Sequence, residues 1–216
     1  MNIKLKIADI YKKAGNNQIV LSNKEKVVLC REIVIKYRLK KGAEISSELF
    51  DKIKAESDLM RAENYASYLL ARREYSSGML KSKLIGKGYG PDLSKIVIDK
   101  LNRAKLVDDN RFARQAVETI LRNKPAGRRY LVAYLRSKYI ARELAEAVVD
   151  ELLENIDEKE LAERLLKSRF RLYLKFDLET ARRKAYNYLS RRAISYGAAK
   201  FAFEKICRGF DEELTD

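Results

Sequence analysis

The chain has 216 residues, with 46 Lys and Arg against 31 Asp and Glu, a formal charge of +15 and a pI near 9.7. That excess favours polyanions, either nucleic acid or an acidic membrane or protein surface, and it is uneven: residues 66–150 hold 18 basic against 9 acidic side chains, whereas 151–216 hold 14 against 13. The absence of histidine removes the commonest general base, the lone Cys30 and Cys207 support neither a disulfide framework nor a zinc site, and no apolar run reaches the roughly 18 residues a bilayer span needs. A soluble protein of the reducing cytoplasm is expected, with no metal, no cofactor, no membrane association and no enzymatic activity.

At the N-terminus Ile3, Leu5 and Ile7 alternate with Asn2, Lys4 and Lys6, which is strand periodicity. Gly15, Asn16 and Asn17 tolerate positive φ before a second short run, QIVL, so a small hairpin is expected. Ser22 and Glu25 have capping-box spacing and predict a helix over about residues 23–39, ending before Gly42. A strand through VVLC or IVIKY is the rival reading. This hairpin and helix region is assigned to residues 1–55.

From Glu48 the pattern is helical nearly to the end, and the only two prolines, Pro91 and Pro125, stand where helices can begin. The eighteen-residue beat LIGKGYGPDLSKIVIDKL at 84–101 returns at 135–152 and at 189–206. Each copy reads as a helix end, a tight turn and a second helix. Ser76 can cap the first of these helices, and Gly88 can close it in the left-handed conformation. The apolar face of the second helix is expected from Leu93, Ile96, Val97 and Leu101, then Leu144, Ala147, Val148 and Leu152, then Ala198, Phe201, Ala202 and Ile206. A further helix precedes each block, marked by Tyr65-Ala66, Phe112-Ala113 and Leu161-Ala162. The expected architecture is mainly α: three tandem three-helix repeats at 56–105, 106–155 and 156–210, stacked into a curved elongated body with the N-terminal region attached.

Acidic and glycine-rich candidates reduce to local structure. Asp108-Asp109 reads as a helix N-cap rather than a catalytic carboxylate pair. GKGYG at 86–90 lacks the Lys-Ser/Thr of a phosphate loop and reads as a helix C-cap. The basic clusters are the stronger signal: Arg72-Arg73, Lys81 with Lys83 and Lys87, Arg128-Arg129, Arg136 with Lys138, Arg182 to Lys184, and Arg191-Arg192. Lys87, Lys138 and Arg192 hold one register in three repeats, so stacking would string charge along one side and track phosphates. Tyr68, Tyr130, Tyr134, Tyr186 and Tyr188 are read as helix-packing residues in preference to stacking platforms for unpaired bases. The acidic stretch Glu151 to Glu163 is either a linker and helix start or a contact for a basic partner.

Arg73, Ser76, Leu80, Lys83, Leu84, Lys87 and Gly88 fit R-x-x-S-x-x-[E]-L-x-x-K-L-x-x-K-G, and LVDDNRFA at 106–113 fits the L-x-D-D-x-R-F-A that follows it. In order and spacing over about residues 66–206 the chain resembles the RecX family, regulators of the RecA recombinase. Met79 departs from the family's usual Glu. Tyr139 and Ala193 replace the glycine that closes the equivalent helix, which disfavours a left-handed cap by roughly 1 kcal/mol and leaves the shape of those turns open. The resemblance implies a non-enzymatic modulator that lies in the helical groove of the RecA filament on DNA, bridging neighbouring protomers, and lowers its ATP hydrolysis and strand exchange. The expected partners are the RecA filament and single- and double-stranded DNA, and the protein is expected to be a monomer. Candidate contacts are Arg72, Arg73, Lys83, Lys87, Arg128, Arg129, Lys138, Arg191 and Arg192. Two other classes stay open: a DNA-binding transcription factor using a helix-turn-helix, and a repeat scaffold for an acidic protein.

Overall fold

The computed structural model describes residues 4–173 and 175–213, with side chains as far as Arg208; Asn2 and Ile3 of the expected alternation lie outside them. The chain divides into two compact units. One gathers the residues up to Tyr75 with Leu80–Val107, the other Ser76–Met79 with the chain from Asp108 onward.

The first unit opens with a four-stranded antiparallel sheet, in spatial order β3-β2-β1-β4. β1 (Lys4–Lys13) turns at Gly15, φ +70°, into β2 (Asn16–Leu21), as the alternation and the glycine predict. The helix expected over 23–39 does not form as such. Ser22–Glu25 instead makes a tight turn: Lys24 takes φ +67°, the Leu21 amide donates to the Glu25 carbonyl, and the Asn23 side chain accepts from the Glu25 amide. The rival strand is the one realised, β3 (Lys26–Cys30), because Val27 and Leu29 can then share the apolar face of Ile19 and Leu21. Only six residues, Arg31–Lys36, remain helical as α1. A short β4 (Glu44–Ser46) pairs with Lys4–Lys6.

Ser46 then caps the 24-residue α2 (Ser47–Leu70) by accepting from the Leu49 amide. Phe50 and Ile53 of α2 close the sheet's core over Ile7, Ile33 and Leu29. Further along, Ala62 and Ala66, both fully buried, face the helical part of the unit, formed with α3 (Ser77–Gly86) and α4 (Pro91–Arg103). The small side chains let helices approach closely.

In the second unit α5 (Asp109–Asn123), α6 (Arg128–Ser137) and α7 (Arg142–Leu153) repeat this plan. They are followed by α8 (Glu158–Lys167), a single-turn α9 (Phe170–Tyr173), α10 (Leu178–Arg191) and α11 (Tyr196–Glu213). Leu84, Leu135 and Leu189, and one turn earlier Leu80, Leu131 and Ala185, are all completely buried. Each leucine contributes about 1.5–3 kcal/mol through burial.

The buried face of each second helix is rotated from the sequence expectation. It consists of Ser94, Val97, Ile98 and Leu101 on α4 and of Ala145, Val148 and Val149 on α7. On α11 it consists of Ala198, Ala199, Ala202 and Phe203. Ile96, Ala147 and Phe201 point to solvent. The small buried residues Ser94, Ala145 and Ala199 mark this face, whereas the large apolar Ile96 and Phe201 do not.

All three helix-turn-helix corners share one backbone geometry. Gly88, Tyr139 and Ala193 take φ of +98°, +62° and +56°. The next amide reaches back five residues: Tyr89 to the Leu84 carbonyl, Ile140 to Leu135, Ile194 to Leu189. That is the Schellman pattern, with an apolar residue following the left-handed one. The turns whose shape the sequence left open are therefore made without glycine.

Candidate nucleic-acid interface

In the first unit Arg72 and Arg73 follow the end of α2 and line an open cleft of about 530 Å³ with Leu70 and Leu106. Arg72 donates to the Tyr68 hydroxyl at 2.5 Å, and Arg73 stacks 4.1 Å from the Tyr75 ring centroid. These stacks hold long side chains in place without neutralising them. Lys83 and Lys87 are exposed on α3 and its cap, and the Lys87 ammonium stands 5.6 Å from the Tyr65 ring.

In the second unit Arg128 and Arg129 occupy the first turn of α6, the positive end of its dipole, where cations are disfavoured. Asp150 answers one of them: its carboxylate accepts from Arg128 Nε at 2.6 Å and from Nη2 at 2.8 Å. The paired guanidinium holds the Asp150 carboxyl below the usual aspartate range. Arg129 is exposed and has no carboxylate partner among the described residues. Lys138 is half-buried over the Tyr134 ring at 5.1 Å, and its carbonyl accepts from the Ser76 hydroxyl. Arg191 is exposed.

Arg192 is different. It is 9% exposed, its Nε donates to the Pro125 carbonyl at 3.0 Å, its Nη2 donates to the Lys124 carbonyl, and its plane lies 4.2 Å from the Tyr130 ring centroid. The register Lys87, Lys138, Arg192 thus sits on tyrosine throughout, but its third member is spent on the fold. Through this staple, and the Gly127 amide donating to the Arg192 carbonyl at 2.8 Å, the structure brings 127–129 beside 191–193.

Asp108 caps α5, accepting from the Asn110 and Arg111 amides. Asp109 accepts from the Ser77 amide at 2.7 Å, a cap donated to α3. Gly86–Gly90 is a helix end and corner. Among the described residues no group of three or more metal-ligating side chains gathers, and no helix is long and apolar enough to cross a membrane. Cys30 is buried, with its thiol pushed up by desolvation, and no disulfide joins it to Cys207.

Two features escaped the sequence. Arg164 donates to the Leu121 and Arg122 carbonyls, capping α5 from α8, and a groove opens between α10 and α11 around Tyr186 and Tyr196. Neither has a local motif, since each depends on how two helices pack.

Repeated three-helix groups with a shared corner, and cations set on tyrosines, define a helical-repeat protein. Models of the first and second three-helix domains of RecX match residues 62–101 and 108–149. The regulatory protein RecX of Pelodictyon phaeoclathratiforme is 33% identical over 135 residues, covering 62% of this chain and 82% of its own length. That of Syntrophotalea carbinolica is 34% identical over 149 residues, covering 67% and 91%. That of Clostridioides difficile is 28% identical over 212 residues, covering 98% and 99%. A crystal structure of regulatory protein RecX shares the fold at a TM-score of 0.64 and 22% identity, over 93% of this chain and 99% of that one. The chain belongs to the RecX family, whose members are regulatory proteins and not enzymes.

Proposed function

We propose that this protein regulates a RecA recombinase by binding the RecA filament on DNA and lowering its ATP turnover and strand exchange. Membership of the RecX family supports the partner. The carrying observation is that Arg72, Arg73, Lys83, Lys87, Arg129, Lys138 and Arg191 have no carboxylate partner among the described residues. They remain available to phosphates and to acidic protein surface, whereas Arg128 is answered by Asp150 and Arg192 by carbonyls. A helix-turn-helix reader of base sequence is less well supported: α4 buries Ser94, Val97, Ile98 and Leu101, and Lys100 is held by Glu63 at 2.7 Å.

The test is ATP turnover of RecA filaments on single-stranded DNA with substoichiometric protein. Turnover should fall. An unchanged rate across a range that saturates binding rejects the proposal. Lys87→Glu with Lys138→Glu should weaken the effect while circular dichroism stays that of the parent.

A further inference from the structure

We infer that the groove between α10 and α11 seats an unstacked base of single-stranded nucleic acid. This deepens the nucleic-acid half of the reading above and rests on it. The groove has a volume of about 420 Å³ and a floor of Tyr186, Phe203 and Cys207, with Leu178 and Tyr196 at its mouth. Both mouth residues are 70% exposed. Large apolar side chains so open to water cost solubility, and the fold buries neither of them.

The geometry selects the ligand. The Tyr196 ring meets Tyr186 edge-on, centroids 5.3 Å apart at 85°, and Tyr186 meets Phe203 in the same way at 6.0 Å and 83°. The edge contact with Tyr186, itself packed on Phe203, orients the ring of Tyr196 and leaves its outer surface open. A fixed, exposed ring is a stacking platform with little ordering entropy left to lose. Cations stand on both rims. Lys200 and Arg208 lie on α11, two turns or about 12 Å apart along its axis, and Arg182 lies opposite on α10. Among the described residues the groove's one carboxylate, Glu204, is 3.9 Å from Lys200, and Arg182 and Arg208 add two further cations to the rim. A backbone laid along this groove meets positive charge on each side while one base turns inward onto Tyr196. Duplex bases, stacked within the helix, do not reach the platform without being flipped out. An acidic peptide with an apolar anchor shares the charge requirement, but such an anchor is held by enclosure, and this mouth is open.

The experiment uses the full chain and fluorescence anisotropy with three probes: a labelled single strand, an abasic strand of equal length, and a duplex. Tyr196→Ala should weaken the single strand by roughly 5- to 150-fold and leave the abasic strand and duplex unchanged. Tyr196→Phe should bind as the parent does, because the ring and not the hydroxyl stacks. Arg208→Gln should weaken both strands and reduce the slope of log affinity against log salt by about 0.7. Equal losses on the single and abasic strands, or no loss with Tyr196→Ala, overturn the inference. So does Tyr196-dependent binding of an acidic, leucine-bearing peptide with no effect on the single strand. Tyr196 is exposed, so circular dichroism should be unaltered in each variant. ATP turnover of RecA filaments separates the two proposals: normal repression by Tyr196→Ala with unchanged strand binding sinks the groove alone, whereas no repression by the parent sinks the regulatory reading alone.

Discussion

The corner at Gly88 and the corners at Tyr139 and Ala193 have the same backbone and opposite surroundings. A Cβ on Gly88 would meet nothing within 4 Å, and its glycine answers only to a φ of +98°. At the other two corners the left-handed residue is not glycine, and the glycine sits on the segment packed against it. A Cβ on Gly78 would lie 2.3 Å from the Cβ of Tyr139, and one on Gly127 would lie 2.1 Å from the Ala193 carbonyl oxygen. In an open corner the glycine relieves backbone strain. In a docked corner the packing holds the strained residue, and glycine is required of the neighbour so that two backbones can touch.

The sharpest break of this comparison is Gly127→Ala. The clash is with a backbone carbonyl that cannot swing aside, and relieving it pulls the Gly127 amide from the Arg192 carbonyl. The expected loss is roughly 3 kcal/mol, read from urea unfolding. A loss no greater than that of Gly88→Ala would show that close approach is not what the glycine serves. Next in size is Arg192→Met. It roughly keeps the volume but leaves the buried Pro125 carbonyl and the part-buried Lys124 carbonyl without the Arg192 donors and removes the stack on Tyr130, for about 2–3 kcal/mol. Its counterpart at the open corner, Lys87→Met, should change stability by less than about 0.5 kcal/mol.

These contrasts mark what could be read from the sequence. Leu84, Leu135 and Leu189 betray the repeat because burial leaves them no freedom to vary in kind. Gly88 betrays its corner because positive φ is a local demand. The VVLCREIVIK stretch misleads because a continuous apolar run fits strand and helix alike, and pairing with β2 decides between them. Arg192 misleads for another reason: its charge is visible locally, but its carbonyl partners lie 67 and 68 residues earlier. Charge registers read from repeats therefore overstate the exposed surface wherever one repeat staples another. Tyr196 was invisible because an exposed tyrosine and a packing tyrosine look identical until the helix is oriented.

Smaller effects refine the distinction between strain and contact. Gly88→Ala should cost about 1 kcal/mol, the penalty of a left-handed alanine with no packing to hold it. Ala193→Gly should stabilise by roughly 0.5–1 kcal/mol, because φ of +56° is relieved while the carbonyl contact with Gly127 stays. Opposite signs at two corners of one geometry would establish that the Ala193 turn is held by its neighbour at the expense of local strain. Equal signs would mean that its backbone relaxes when freed.

The smallest structural effect carries the largest functional contrast. Lys87→Gln and Lys138→Gln each remove one charge and leave the corner backbones intact, so unfolding midpoints should scarcely move. Lys87 is exposed beside Tyr65, whereas Lys138 is half-buried and anchors Ser76 through its main chain. If the exposed lysine contacts phosphate directly, Lys87→Gln lowers the salt slope of single-strand binding by about 0.7, and Lys138→Gln lowers it by less. A steeper loss at Lys138 would place the nucleic acid against the docked corner, and the open corner would then have to be explained by a protein contact.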